Sequence, residues 1–257
     1  MEKKFLWGAE GRMLGMFISS LVFSVLSLVI LSRSGRLNIS YDTNYLKSAL
    51  HFGVPLLPHE LSSFLMNWVS IFIINAFLSK SSVGVYLFAF QLSMILGVFC
   101  DAFNRAFVPW LYTKLKKNKD NEKVKIVYIT YCYFLLMFAI SILSFAFLPA
   151  IIDIFFDNSY RESGQIVGWL VLGQAFGGMY LMVTNYIFYS KNTAVLSVIS
   201  LSISALGLVV MYFLVKYYGL TGSAIAFVLM KLFLFIITWF AASNRVTMPW
   251  RLTVKQA

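Results

Sequence analysis

A lysine in the middle of a long apolar run is the least expected residue of this sequence. Lys231 lies about nine residues into the run Gly222 to Ala242, which places its ammonium group ~13 Å below the end of a helix and near the middle of a bilayer. A charge at that depth costs roughly 2.5 to 3.5 kcal/mol on insertion scales. The position predicts either a cation that lines a cavity and attracts an anionic head group, or an internal salt bridge that fixes helix packing.

A second polar group lies toward the end of the run Val83 to Leu111. Asp101 and Arg105 are four residues apart, with Asn104 beside them, and this spacing predicts an ion pair within one helix. One interpretation is a self-neutralised pair near the lipid head groups. The other is a contact from Arg105 to phosphate, for which the planar guanidinium group is well suited.

The run Phe52 to Leu78 begins with two prolines and carries further ionisable groups. At 100° per residue, Glu60 and Asn67 align within about 20°, which predicts a polar stripe along one face of a helix. The stripe suits a hydrophilic lumen in which Glu60 or His59 exchanges a proton. The alternative is that both residues are solvated at the membrane surface and have no function.

Amides elsewhere in apolar runs are weaker candidates for a polar cavity lining. They are Gln91, Gln174 and Asn185, and such residues more commonly form hydrogen bonds between helices than contacts with a ligand.

The sequence contains no motif for bond chemistry. Cys100 and Cys132 both fall in apolar runs, where cysteine behaves as a small hydrophobic residue, and the only histidines are His51 and His59. No nucleophile, zinc or phosphate-loop pattern is present. We therefore expect no enzymatic activity, disulfide, metal site or cofactor.

The composition indicates which elements must position these residues. Of the 257 residues 60% are hydrophobic and 12% are charged, too few polar groups to cover a soluble fold. This excludes a soluble enzyme, a disordered chain and a nucleic-acid-binding module. The predicted fold is an all-α polytopic membrane bundle of about seven transmembrane helices, near Leu14 to Leu31, Phe52 to Leu78, Val83 to Leu111, Ile126 to Leu148, Gln165 to Tyr189, Ala194 to Val215 and Gly222 to Ala242.

The distribution of lysine and arginine predicts the orientation of the bundle. Most basic residues fall on the side that includes the cluster Lys114 to Lys125 and the C-terminus, which we therefore expect to be cytoplasmic. Lys3, Lys4 and Arg12 then fall on the opposite side, against the rule. The first helix is accordingly the least securely oriented element.

Two stretches of the chain carry a family resemblance. They are Tyr45-Leu-Lys-Ser-Ala-Leu-His-Phe-Gly-Val-Pro-Leu-Leu-Pro-His-Glu-Leu-Ser62, and Ser82-Val-Gly-Val-Tyr86 leading to Ala102-Phe-Asn-Arg-Ala-Phe-Val-Pro-Trp-Leu111. They resemble the C-terminal half of bacterial polysaccharide flippases of the O-antigen and capsule (Wzx) type, within the MATE-like multidrug, lipid-linked oligosaccharide and polysaccharide exporter superfamily.

The resemblance implies a function and a location. Such flippases move undecaprenyl-pyrophosphate-linked oligosaccharide repeat units across the bacterial inner membrane by alternating access between two six-helix bundles, often with cation coupling. By residue character alone, Lys231, Arg105 and Lys191 match the basic cavity lining that accepts pyrophosphate. The expected partners are the lipid-linked oligosaccharide and the bilayer, with no nucleic acid.

By comparison with this family, we expect the chain to lack most of one bundle. We expect residues 1–36 to hold the last helix of the first bundle, 37–51 a cytoplasmic linker with an amphipathic helix, 52–242 the six-helix second bundle and 243–257 a cytoplasmic tail. A single bundle does not easily enclose an alternating cavity, so pairing with a second half or with another copy is predicted.

Three other functions remain open from the sequence. A drug or cation exporter of the same superfamily would favour acidic residues in its cavity. An integral-membrane enzyme of the same glycan pathway would carry a catalytic loop outside the membrane, and no such loop is evident. The last alternative is an inactive remnant of such a transporter.

Overall fold

The described part of the chain is built from helices. The computed structural model describes residues 8–35, 42–54, 57–190 and 193–250, and every regular element within these ranges is helical. The helices are α1 (Gly8–Arg33), α2 (Thr43–Gly53), α3 (Leu57–Phe64), a π-helical turn (Leu65–Val69), α4 (Ser70–Phe77), α5 (Lys80–Lys117), α6 (Asp120–Phe155), a 3-10 turn (Asn158–Tyr160), α7 (Ser163–Tyr189) and α8 (Thr193–Ser243). The predicted all-α bundle is confirmed.

Five helices of the described ranges are long and apolar enough to cross a membrane: α1, α5, α6, α7 and α8. Helix α8 contains two of the predicted runs, because the chain turns at Gly219, where φ is 58° and ψ is −138°. Glycine adopts this conformation readily because it has no Cβ atom. The residues before and after Gly219 form two arms of α8, 193–218 and 220–243.

The run predicted at Phe52 to Leu78 is not one continuous helix. It is divided into the end of α2, α3, the π-helical turn and α4. The π-helical turn Leu65–Val69 interrupts the straight α-helix that the predicted polar stripe assumes. The side chain of Asn67 lies outside the described part of the structure, so its alignment with Glu60 stays a prediction. Nothing in the sequence pattern indicated this turn.

The chain divides into two compact units, residues 1–50 and 51–257. Within the first unit, α1 exposes large apolar side chains along most of its length, as expected for a helix surrounded by lipid. The short helix predicted before the second apolar run is present as α2. The second unit contains α3 to α8 and the apolar core.

Helix α7 lies at the centre of the second unit, and small residues allow its neighbours to approach it closely. A Cβ atom placed on any of three of its glycines would lie 2.4 to 2.6 Å from a neighbouring side chain. The contacts are Gly168 with Phe145 of α6, Gly178 with Cys100 of α5, and Gly173 with Phe227 of α8. Glycine at these three positions therefore allows α5, α6 and α8 to pack directly against α7.

Candidate functional site

One side of the central helix α7 is accessible over two turns. Gln174, Gly177 and Leu181 are half-buried and lie on one face of the helix. Leu170, one turn earlier on this face, is fully buried and belongs to the same apolar cluster as Ile74 of α4. This face of α7 is therefore covered at Leu170 and accessible from Gln174 to Leu181. We refer to the accessible part, formed by Gln174, Gly177 and Leu181, as the strip.

Lys231 lies beside this strip. It is twelve residues after Gly219 and twelve before Ser243, hence ~18 Å from either end of the second arm of α8. Its Cδ atom is 3.9 Å from the position that a Cβ atom on Gly177 would occupy, and its Nζ atom is 5.5 Å from the centre of the Phe227 ring. The absence of a side chain at Gly177 leaves room for the lysine stem.

The ammonium group of Lys231 is not neutralised by an ion pair within the described residues. Its side chain is half-buried, and no described carboxylate oxygen lies within 4.0 Å of its Nζ atom. The Phe227 ring offers an attraction of about 0.5 to 2 kcal/mol, less than the cost of placing a charge at mid-bilayer depth. The internal salt bridge considered from the sequence is absent from the described residues.

Helix α5 borders the other side of the strip. The Oε1 atom of Gln174 lies 3.0 Å from the position that a Cβ atom on Gly97 would occupy, so this amide packs across α5. Asp101 follows Gly97 by one turn, and its Oδ2 atom is 3.4 Å from Nη2 of Arg105. The predicted ion pair is confirmed, and its side chains are 55% and 81% exposed respectively.

The contacts of α7 fix the register of the two flanking helices. Gly173 and Gly177 contact Phe227 and Lys231, four residues apart in both helices, so α7 runs parallel to the second arm of α8. Gly178 contacts Cys100, which places Lys231 at about the level of residues 100 and 101 of α5. Lys231 and Asp101 therefore lie at a similar level on the two helices that flank the strip.

An amide pair joins α5 to α7 next to this region. The Nδ2 atom of Asn185 donates to Oδ1 of Asn104 at 2.7 Å, and the Tyr112 hydroxyl donates to the backbone oxygen of Asn185 at 3.4 Å. Asn185 is buried. The interhelical bonding that its sequence context favoured is confirmed, and it extends to Asn104.

Among the remaining predicted residues, Glu60 interacts electrostatically with the Tyr180 hydroxyl on α7, one turn from Gly177, whereas Gln91 lies far from the strip. Gln91 is exposed on α5, 14 residues or ~21 Å along the axis from Arg105. Glu60 is exposed on α3. Lys191 and the side chains of His59 and Asn67 lie outside the described part of the structure, so their proposed roles stay predictions.

Taken together, the strip and its borders form a candidate anion site. It offers one ammonium group, one guanidinium group and one amide, contributed by Lys231, Arg105 and Gln174. The exposed ion pair of Arg105 contributes only about 0 to 1 kcal/mol, so a phosphate group can replace Asp101 as its partner at little cost. Gly177 and Gly97 shape the strip. Gly177 belongs to the string Gly173-Gln-Ala-Phe-Gly177, whose spacing is typical of close helix packing, but the sequence does not indicate that either glycine borders a site.

Comparison with known proteins gives a consistent but coarse assignment. A family model described as "Polysaccharide biosynthesis protein" matches residues 6–165. Two Haemophilus influenzae proteins are similar: "Lsg locus putative protein 1" is 28% identical over 232 residues, covering 83% of this chain and 56% of the relative. An "Uncharacterized membrane protein" is 29% identical over 193 residues, covering 73% of this chain and 47% of the relative. The chain thus spans about half the length of these curated relatives, and no solved structure matches it.

Proposed function

Because this chain belongs to the polysaccharide biosynthesis protein family, we propose that it forms the C-terminal part of a flippase for undecaprenyl-pyrophosphate-linked oligosaccharides. In this proposal the step is translocation across the bacterial inner membrane during O-antigen or capsule synthesis. No covalent bond is made or broken, so the chain is a transporter and not an enzyme.

The observation that carries this proposal is the position of Lys231. A cation at the centre of a membrane arm, half-buried and without a described carboxylate within 4.0 Å, is costly unless an anion binds it. Pyrophosphate supplies such an anion, since its oxygens accept charge-assisted hydrogen bonds.

Each part of the site has a role in this proposal. Lys231 and Gln174 hold one end of the diphosphate beside Gly177, and Arg105 exchanges Asp101 for a phosphate oxygen. The hydrophobic lipid tail remains in the bilayer, while the glycan occupies the space beyond the strip. Residues of a second half, or of another copy of this chain, complete the cavity on the side that Gln174 and Lys231 face.

A cellular export assay tests this proposal. We expect Lys231→Ala to reduce surface glycan strongly in cells whose glycan display depends on this chain, and Lys231→Arg to retain most of it, because the charge is kept. Lys216→Ala is a matched control, since Lys216 also lies near an aromatic ring, 6.0 Å from the centre of Tyr217, but is exposed. Normal display by the Lys231→Ala cells, at equal protein level, would contradict the proposal.

A further inference from the structure

The turn between α5 and α6 carries a dense group of lysines that the proposed transport site does not use. Within twelve residues there are six lysines and two carboxylates: Lys114, Lys116, Lys117, Lys119, Lys123, Lys125, Asp120 and Glu122. Among the described ion pairs, only Lys114 is matched, with its Nζ atom 2.8 Å from Oε1 of Glu122. We refer to the other five lysines as the lysine tip.

The turn holds the lysine tip in a defined arrangement. Helix α5 ends at Lys117 and α6 begins at Asp120, so only two residues connect them. Asn118 takes the left-handed conformation, with φ of 46°, which asparagine tolerates better than most residues. The ion pair of Lys114 with Glu122 joins the two helices across the turn. Four of the five lysines are therefore carried on two helix ends, and Lys119 lies in the two-residue turn between them.

A nearby aromatic residue places the lysine tip at the surface of a bilayer. Tyr128 is 63% exposed, as expected for a tyrosine at the membrane interface, and Lys125 precedes it by three residues, or ~4.5 Å along α6. With Tyr128 at the interface, Lys125 lies within about one Debye length, roughly 8 Å, of the head groups.

The opposite end of the same helices lacks this charge. In the described ranges it carries three basic and three acidic residues: Lys80, Arg161, Lys216, Asp153, Asp157 and Glu162. Arg161 and Asp153 also pair, with 3.3 Å between Nε and Oδ1. The excess positive charge is therefore specific to the α5–α6 end.

From this arrangement we propose that the lysine tip binds anionic phospholipid head groups of the surrounding bilayer, so that phosphatidylglycerol is retained next to α5 and α6. Lysines close to an anionic membrane surface attract it, and the attraction is electrostatic and hence reduced by salt. The proposal is independent of what the strip beside Lys231 transports.

Retention of lipid by the purified protein tests this proposal. The protein is exchanged into micelles containing equal phosphatidylglycerol and phosphatidylcholine, passed over gel filtration, and its retained lipids are quantified by mass spectrometry. We expect about fivefold enrichment of phosphatidylglycerol, the ratio that corresponds to ~1 kcal/mol for one lysine near an anionic surface. The variant Lys116→Gln, Lys117→Gln, Lys123→Gln, Lys125→Gln should retain the two lipids nearly equally.

Three further measurements distinguish a loss of enrichment caused by the missing charge from one caused by a folding defect. Arginine at the same four positions should preserve the enrichment, and Lys80→Gln with Lys216→Gln at the opposite end should not change it. Raising NaCl from about 0.05 to about 0.5 M should lower the enrichment in the unchanged protein, which avoids any folding defect. Equal enrichment in the native and glutamine proteins, or enrichment insensitive to salt, would overturn the proposal and favour an acidic protein as the partner of these lysines.

Discussion

Replacing Gly173 with alanine should destabilise the second unit because the new methyl group has no space. Its Cβ atom would lie 2.4 and 2.5 Å from Cδ1 and Cε1 of Phe227, more than 1 Å closer than the roughly 3.5 to 4.0 Å preferred between carbon atoms. The Phe227 ring is 1% exposed and packs edge-to-face against Phe90 at 5.5 Å between centroids. The ring therefore cannot simply rotate away.

The size of the effect follows from the cost of overpacking. Extra methyl groups in a packed core typically cost about 1 to 3 kcal/mol, and a domain of this size loses roughly 2 to 4 °C in Tm for each kcal/mol. We expect the Tm of Gly173→Ala to lie about 2 to 12 °C below that of Gly177→Ala, which makes the same change in helix propensity, in thermal unfolding monitored by intrinsic fluorescence in one detergent. The Lys231 side chain should also change position, because its ammonium group lies over the Phe227 ring that the new methyl group displaces.

Gly177→Ala is the matched control for this prediction. It lies one turn further along α7, and the nearest atom to its new methyl group would be Cδ of Lys231 at 3.9 Å, an ordinary contact. Alanine also favours a helix over glycine by up to about 1 kcal/mol, so Tm should stay the same or rise. A loss of Tm that is equal in both variants, or absent from Gly173→Ala, would refute the packing described here.

Three smaller predictions concern hydrogen bonds. Thr238→Val should leave Tm unchanged or raise it by a few degrees, because the buried Thr238 hydroxyl has no hydrogen-bond partner among the described residues and its removal avoids a desolvation cost of about 1 to 3 kcal/mol. A fall in Tm would show that this hydroxyl binds water or another group. Asn185→Ala should cost about 1 to 3 kcal/mol by leaving Asn104 unpaired, and a double-mutant cycle with Asn104→Ala should recover most of that loss. Hydrogen bonds from Ser159 lower the pKa of the Asp157 carboxyl, so its support of the α6–α7 turn should persist above the unfolded pKa near 3.9 and be lost as pH falls through the folded value. A protection factor of the Ser159 amide, corrected for the intrinsic pH dependence of exchange, that stays constant down to pH ~2 would contradict this.

The sequence predicted the bundle well because long apolar runs admit few alternatives in a membrane. It did not predict the division of the second run, since the π-helical turn at Leu65–Val69 has no glycine or proline to indicate it. The join between the last two runs was visible as a gap in hydropathy, but its location at Gly219 follows from backbone conformation alone.

The candidate site was predicted only in part. Helical spacing was sufficient to predict the ion pair of Asp101 with Arg105, because both residues belong to one helix. The placement of Lys231 beside Gly177 depends on which helices pack together and in what register, and a single sequence does not contain that information. In the sequence Gln174 is one amide among several. Only the packing of α5 and α8 on either side of it assigns it to the candidate site.

Direct binding of a lipid pyrophosphate tests the central claim of an anion site at Lys231. The purified chain is titrated with undecaprenyl pyrophosphate and, separately, with undecaprenol, which has the same tail and no charge. We predict that the pyrophosphate binds more tightly, and that Lys231→Ala weakens its Kd at least about tenfold, or 1.4 kcal/mol, whereas Lys231→Arg and Lys216→Ala do not. Equal affinity for the two lipids, or a Kd for the pyrophosphate that Lys231→Ala leaves unchanged, would contradict the account.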